Sequence, residues 1–181
     1  MQTERRAPLT DDPSVHEASR PGHRRTGLLI LVAGLVLAAD VVSKYLIVAT
    51  MADHADMRLL GGLITITYTR NPGAAFSVGT GYTIVFTLIA AAVVVAILRV
   101  SRRLYSRRWA IALGALLGGA LGNLLDRMFR DPGPLRGHVV DWIELPHWPV
   151  FNLADSAIIG AAVLMVLLAV TGREVDGTVH R

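Results

Sequence analysis

"GLLILVAGLVLAADVVSKYLIVA", Gly27 to Ala49, runs for 23 residues and carries only two charges, Asp40 and Lys44. A bilayer's hydrocarbon core needs about 20 consecutive apolar residues in helical form, so this stretch is long enough to cross one. It exceeds the roughly 7 to 15 apolar residues of a secretory signal and lacks a clear A-x-A exit, so it reads as a retained span. Three more stretches approach the same length: Tyr82 to Leu98, Trp109 to Leu125, and Phe151 to Val170. The whole chain has 181 residues, 52% of them hydrophobic, and a positive mean hydropathy. These features place it among membrane proteins, as an all-α bundle of four transmembrane helices over residues 27–171. The flanks, 1–26 and 172–181, are expected to be cytoplasmic tails, the first of them disordered because it is polar and aperiodic.

Charge orients the spans. Arg5, Arg6, Arg20, Arg24 and Arg25 precede the first, and "RVSRRLYSRR" between the second and third holds five more arginines. In a four-span chain these segments share a side with Arg173 and Arg181. The excess of cations assigns that side to the cytoplasm. The net charge of +4 then needs no partner beyond anionic lipid headgroups. Nucleic acid is not expected, because no aromatic residues interleave with the arginines. The chain has no cysteine, which excludes disulfides, thiolate metal sites and a cysteine nucleophile.

On the opposite, outer side the remaining polar residues converge. Asp40 and Lys44 fall late in the first span, four residues apart on one helical face, with acid before base as an ion pair prefers. Asp126 and Arg127 close the third span, Asn152 and Asp155 open the fourth, and Asp141 lies in the loop between them. Charges within spans cost roughly 2.5 to 3.5 kcal/mol each on insertion scales and usually face the bundle interior or mark function. Plainer readings also exist. Asp40 with Lys44 suits a structural ion pair, Asp126 a brace at a helix end, and Asp155 a buried acid bonded to a neighbouring helix.

The first outer loop carries a different pattern. Leu63 to Thr69 alternates apolar and polar residues with many β-branched side chains, predicting a strand in a small extracytoplasmic β-element. Asn71, Pro72 and Gly73 supply turn chemistry, and Ala74 and Ala75 permit close backbone approach. Asn71, level with the aspartates, is a candidate ligand for a substrate backbone.

Two carboxylates sharing a site do not both ionise easily. One is held protonated above the Asp reference of about 3.9 while the other acts as base, so water can attack a carbonyl without a metal or covalent nucleophile. No cofactor is expected. His138, Asp141, Glu144 and His147 recur every third residue, but H-E-x-x-H is absent and Pro146 would interrupt a helix carrying them. Ser156 lacks a G-x-S-x-G context.

The blocks "DVVSK" (Asp40 to Lys44), "RNPGAAFS" (Arg70 to Ser77), "GGALGNLLDR" (Gly118 to Arg127), "HVVDW" (His138 to Trp142) and "FNLADSAI" (Phe151 to Ile158) together closely resemble the lipoprotein signal peptidase, or signal peptidase II, family. That resemblance implies an aspartic endopeptidase of the bacterial inner membrane. It would remove signal peptides from diacylglyceryl-modified prolipoproteins by cutting before the lipidated cysteine. By motif the catalytic pair is Asp141 and Asp155. Asn71, Gly73, Asn123, Asp126, Arg127 and Asn152 fall at site-lining or supporting positions, and Asp40 with Lys44 at a stabilising pair. Val41 and Pro72 depart from the Gln and Thr usual in the family. A monomer is expected, cutting near the outer membrane face, with "ITITYT" as a cradle over the substrate and the 126–150 loop able to move as a lid.

Two rivals come from other classes. A small proton-coupled carrier would use Asp40, Lys44 and Asp155 as a relay, although four spans without evident internal repeats are few for a transporter. A purely structural scaffold would leave lipoprotein processing untouched when Asp141 or Asp155 is replaced by Asn.

Overall fold

The computed structural model describes residues 23–73 and 82–179. The expected disordered tail, up to residue 22, and the close-approach residues Ala74 and Ala75 lie outside that range. Four long helices carry the chain: α1 (Thr26–Met51), α2 (Thr83–Val100), α3 (Arg107–Phe129) and α4 (Leu153–Val170), each apolar and long enough to cross a membrane. They match the four apolar stretches, with α1 and α3 extending beyond them at both ends.

The α3 helix is the most buried and packs against the other three. Its glycines explain how. A Cβ on Gly118 would stand 2.6 Å from the Ala33 carbonyl of α1, and one on Gly119 would stand 2.6 Å from the Ala154 carbonyl of α4. Only bare backbone admits helices this close, and in a bilayer such contact replaces the hydrophobic drive that water supplies elsewhere. Leu29, Ala33, Leu113 and Leu117 fill the seam and are buried.

A three-stranded antiparallel sheet caps one end of the bundle. Its strands are β1 (Met57–Leu59), β2 (Ile64–Asn71) and β3 (Val139–Glu144), in the order β1-β2-β3. The predicted strand at Leu63 to Thr69 is thus β2, shifted by one residue at its start. The sheet seats on α1, where Val140 packs against Ile47 and Met51.

Asp141 belongs to β3, which corrects its expected place in a loop. Val139, Val140 and Ile143 supply β-branched residues to a run that main-chain bonds to β2 hold extended. The 126–150 segment is therefore not one irregular loop. Its first residues end α3, its centre is strand, and Phe151 bridges back to Ile143.

At the opposite end, Tyr105 N and Ser106 N donate to the Val175 carbonyl at 3.1 and 3.0 Å, and the Trp109 indole N–H donates to the Arg173 carbonyl at 2.8 Å. Residues 173–179, expected as part of a tail, fold back against the start of α3.

Candidate active site

The start of α4 organises the site. Asn152 is its N-cap: its side-chain oxygen accepts from Asp155 N at 2.9 Å, while Asp155 Oδ2 accepts from Asn152 N at 3.3 Å. This capping box satisfies two otherwise orphaned backbone donors. It also fixes the Asn152 amide. With its oxygen committed to the cap, its nitrogen donates to Asp141 Oδ1 at 2.6 Å, from α4 to β3.

Asn71, the last residue of β2, donates to the other oxygen of Asp141 at 2.8 Å, and its own Oδ1 accepts from Gly73 N at 2.9 Å. On α3, Asn123 donates to Asp155 Oδ1 at 2.7 Å. All four oxygens of Asp141 and Asp155 thus accept an N–H from a neutral amide. No ion pair reaches either carboxylate among the described residues.

A separate cluster lies behind Asn123. Lys44 is fully buried, and its ammonium meets Asp40 Oδ2 at 2.8 Å, Asp126 Oδ2 at 2.9 Å and Asn123 Oδ1 at 3.0 Å. An ammonium donates and cannot accept, so Asn123 must turn its oxygen to Lys44 and its NH2 to Asp155. The second carboxylate oxygen of Asp40 accepts from Ala154 N at 2.9 Å, capping the first turn of α4 from α1. Asp126 also pairs with Arg130 and accepts from Val140 N at 3.2 Å, tying the end of α3 to β3. Asp40 with Lys44 is accordingly a buried ion pair, and Asp126 braces a helix end.

Asp141 and Asp155 face one cavity of about 210 Å³, together with Asn71, Gly73, Asn123 and Arg127. Asn152 and Lys44 bond to residues that line it, and Asp40 and Asp126 connect to it only through Lys44. Arg127 donates through Nη2 to the Gly73 carbonyl at 3.0 Å, holding the turn after Asn71. Asp141 is almost wholly buried. Burial, reinforced by the charge of Asp155 and opposed by the Asn71 bond, pushes its carboxyl up to about 6.

The apolar wall was not anticipated. Val139, Trp148, Pro149, Val150, Phe151, Ile158 and Ile159 complete the lining. Ile158 and Ile159 follow Asp155 by three and four residues, a helical spacing that places them on its face. Arg130, four residues after Asp126, was legible by the same rule. Trp148 carried no local signal. His138, Glu144 and His147 do not line the cavity, and among the described residues no group of three or more potential ligands is close enough to hold a metal.

A family model for signal peptidase (SPase) II matches residues 32–171. The lipoprotein signal peptidase of Rhodococcus jostii (strain RHA1) is 48% identical over 169 residues, covering 93% of this chain and 85% of the relative. That of Mycobacterium avium (strain 104) is 52% identical over 153 residues, covering 84% of each. Two solved bacterial membrane enzyme structures, both obtained by the in meso method, share the fold. One has a TM-score of 0.69 at 29% identity, covering 80% of this chain and 88% of that one. The other has a TM-score of 0.68 at 31% identity, covering 79% and 92%.

Proposed function

This chain belongs to the signal peptidase II family, and on that premise we propose that Asp141 and Asp155 are the carboxylates with which it hydrolyses a peptide bond. It is a membrane protease that removes signal peptides from prolipoproteins. The cut falls before the diacylglyceryl-modified cysteine. The carrier reading draws no support from any relative.

One observation carries the aspartic mechanism: two carboxylates share a cavity wall and, among the described residues, are contacted there only by neutral donors. Without a cation in contact, burial of both charges is costly, and the pair is driven to hold one proton. Asp141, pushed up to about 6, is suited to carry the proton into the reaction, and Asp155 acts as the base. Asp155 takes a proton from water as the water oxygen adds to the scissile carbonyl. Asp141 donates to the developing oxyanion; as the C–N bond breaks, the proton on Asp155 passes to the leaving amine and Asp141 takes back a hydroxyl proton as the carboxyl product forms. Which carboxyl holds the resting proton is a property of the pair. Asn123 and Asn152 keep both acids in place through the reaction, and β2 forms a cradle beside the cavity. Both termini lie in the cytoplasm of a bacterial cell, and the cavity opens near the outer face of the inner membrane. The chain acts as a monomer, with lipid around its helices.

Cleavage of a diacylglyceryl-modified prolipoprotein by the purified protein in detergent, with EDTA present, tests this reading. Wild type and Asp126→Asn are expected to cut, while Asp141→Asn and Asp155→Asn remain folded and inactive. Activity in either of the last two variants would remove that residue from the mechanism.

A further inference from the structure

A second cavity lies outside the catalytic one. It is a groove of about 770 Å³ across the sheet and the loop that follows β3. Arg58 of β1, Thr65 of β2 and Glu144 of β3 are partners across the ladder, so they form one row along its floor. Strand side chains alternate faces, and Glu144 stands three residues from Asp141. The groove therefore lies on the face of the sheet that turns away from the catalytic carboxylates.

The two cavities nevertheless share a wall. Trp148 and Pro149 line both. They sit in the loop Leu145–Val150, whose ends are pinned where Ile143 N and Phe151 N each donate to the other's carbonyl at 2.8 and 2.9 Å. Trp148 N donates to the Leu145 carbonyl at 3.1 Å, closing a turn inside the loop. His147, at the groove, has a left-handed backbone with φ 63°. That conformation is unfavourable for a non-glycine residue and persists only where its surroundings impose it. The loop is thus a held partition, wholly apolar towards the catalytic cavity and adding only His147 as a polar side chain to a groove whose floor carries Asp56, Arg58, Thr65 and Glu144.

A peptide substrate has two ends. Its signal segment and acyl chains are apolar and match the apolar wall beside Asp155. The residues after the lipidated cysteine are those of an extracytoplasmic polypeptide, and they must leave the cavity over some rim. The geometry points to the Trp148–Pro149 rim as that exit and to the groove beyond it as the binding site for the first residues of the mature chain. Arg58 and Glu144 select those residues by charge. This inference rests on the peptidase reading and extends it to the carboxyl side of the cut.

Kinetics on substrate pairs test it. One diacylglyceryl prolipoprotein peptide ends one residue after the cysteine. A second continues for about ten residues, carrying lysines in one version and aspartates in another. In wild type the long peptides should show a KM several-fold below that of the short one, with kcat similar. Reversal to Glu144→Lys should shift preference by about threefold from the lysine towards the aspartate peptide, a shift typical of a partly exposed charge pair. Arg58→Glu should shift it the opposite way. A folding defect would affect all peptides alike and would not exchange the preference. Equal KM values for long and short peptides in wild type, or variants without exchange, overturn the groove assignment. Failure of wild type to cut any of them overturns the peptidase reading itself.

Discussion

Two pairs of aspartates, a few residues apart in space, are treated in opposite ways by this protein. Asp40 and Asp126 clasp Lys44 in a buried cluster of ion pairs at 2.8 and 2.9 Å. Asp141 and Asp155 face a cavity and, among the described residues, receive only amide N–H groups. The first pair is neutralised and can do no proton chemistry. The second keeps two negative charges in competition, which is the condition for sharing a proton. Asn123 joins the clusters. Its oxygen on Lys44 and its nitrogen on Asp155 transmit the orientation set by the buried cluster to the reactive one.

Breaking the reactive pair should have the largest effect. Asp141→Asn or Asp155→Asn is expected to lower kcat by about 10²–10⁴, the range for loss of a positioned acid or base, while thermal unfolding in detergent still shows a folded protein. If both variants cut at near wild-type rates, the distinction between the two pairs collapses.

The buried cluster should fail through stability. Lys44→Met leaves Asp40 buried without a cation and Asp126 with Arg130 alone, at a cost of about 3–5 kcal/mol. Chemical denaturation in micelles measures it. Adding Asp40→Asn and Asp126→Asn should recover part of the loss, which would sharpen the contrast by showing that unpaired charge, not lost packing, is responsible.

A smaller effect separates the pairs by pH. The carboxyl of Asp141 is raised to about 6 in the folded protein from an ordinary 3.8, so the folded state binds more protons than the unfolded state between those values. Its contribution is present below about pH 3.8 and is lost as pH rises through about 6. By linkage the loss is at most about 3 kcal/mol. Unfolding free energies measured from pH 4 to 7 should fall more steeply for wild type than for Asp141→Asn. Parallel curves would mean that Asp141 is not raised.

The smallest change tests how the buried cluster is housed. A Cβ on Gly122 of α3 would collide with the carboxylate of Asp40. Gly122→Ala should cost about 1–3 kcal/mol as overpacking and shift Asp40 from Ala154 N, with a drop in activity through the first turn of α4. Unaltered stability and activity would show that Asp40 has room to move.

Local patterns in the sequence carried much of this arrangement. The helices were legible because apolar length answers to the thickness of the bilayer alone. β2 was legible from its alternation of side chains. β3 was not, because six residues between proline-rich turns become a strand only when a distant partner, β2, supplies main-chain bonds. The polar blocks likewise singled out Asp141 and Asp155 by family pattern, and these two carboxylates face one cavity.

The sequence by itself determined four membrane-crossing helices, a polar end among them, and the set of side chains available there. Only the tertiary structure decided which carboxylates are neutralised and which share a cavity. Lys44 reaches Asp126 across 82 positions in the chain, and Asp40 reaches Ala154 N across 114. Those contacts depend on how closely α1, α3 and α4 approach at their glycines. Hydropathy and motif spacing report what each segment prefers as a solvent. The strength of a charge pair depends instead on distances between helices, and these are set by packing of the whole bundle.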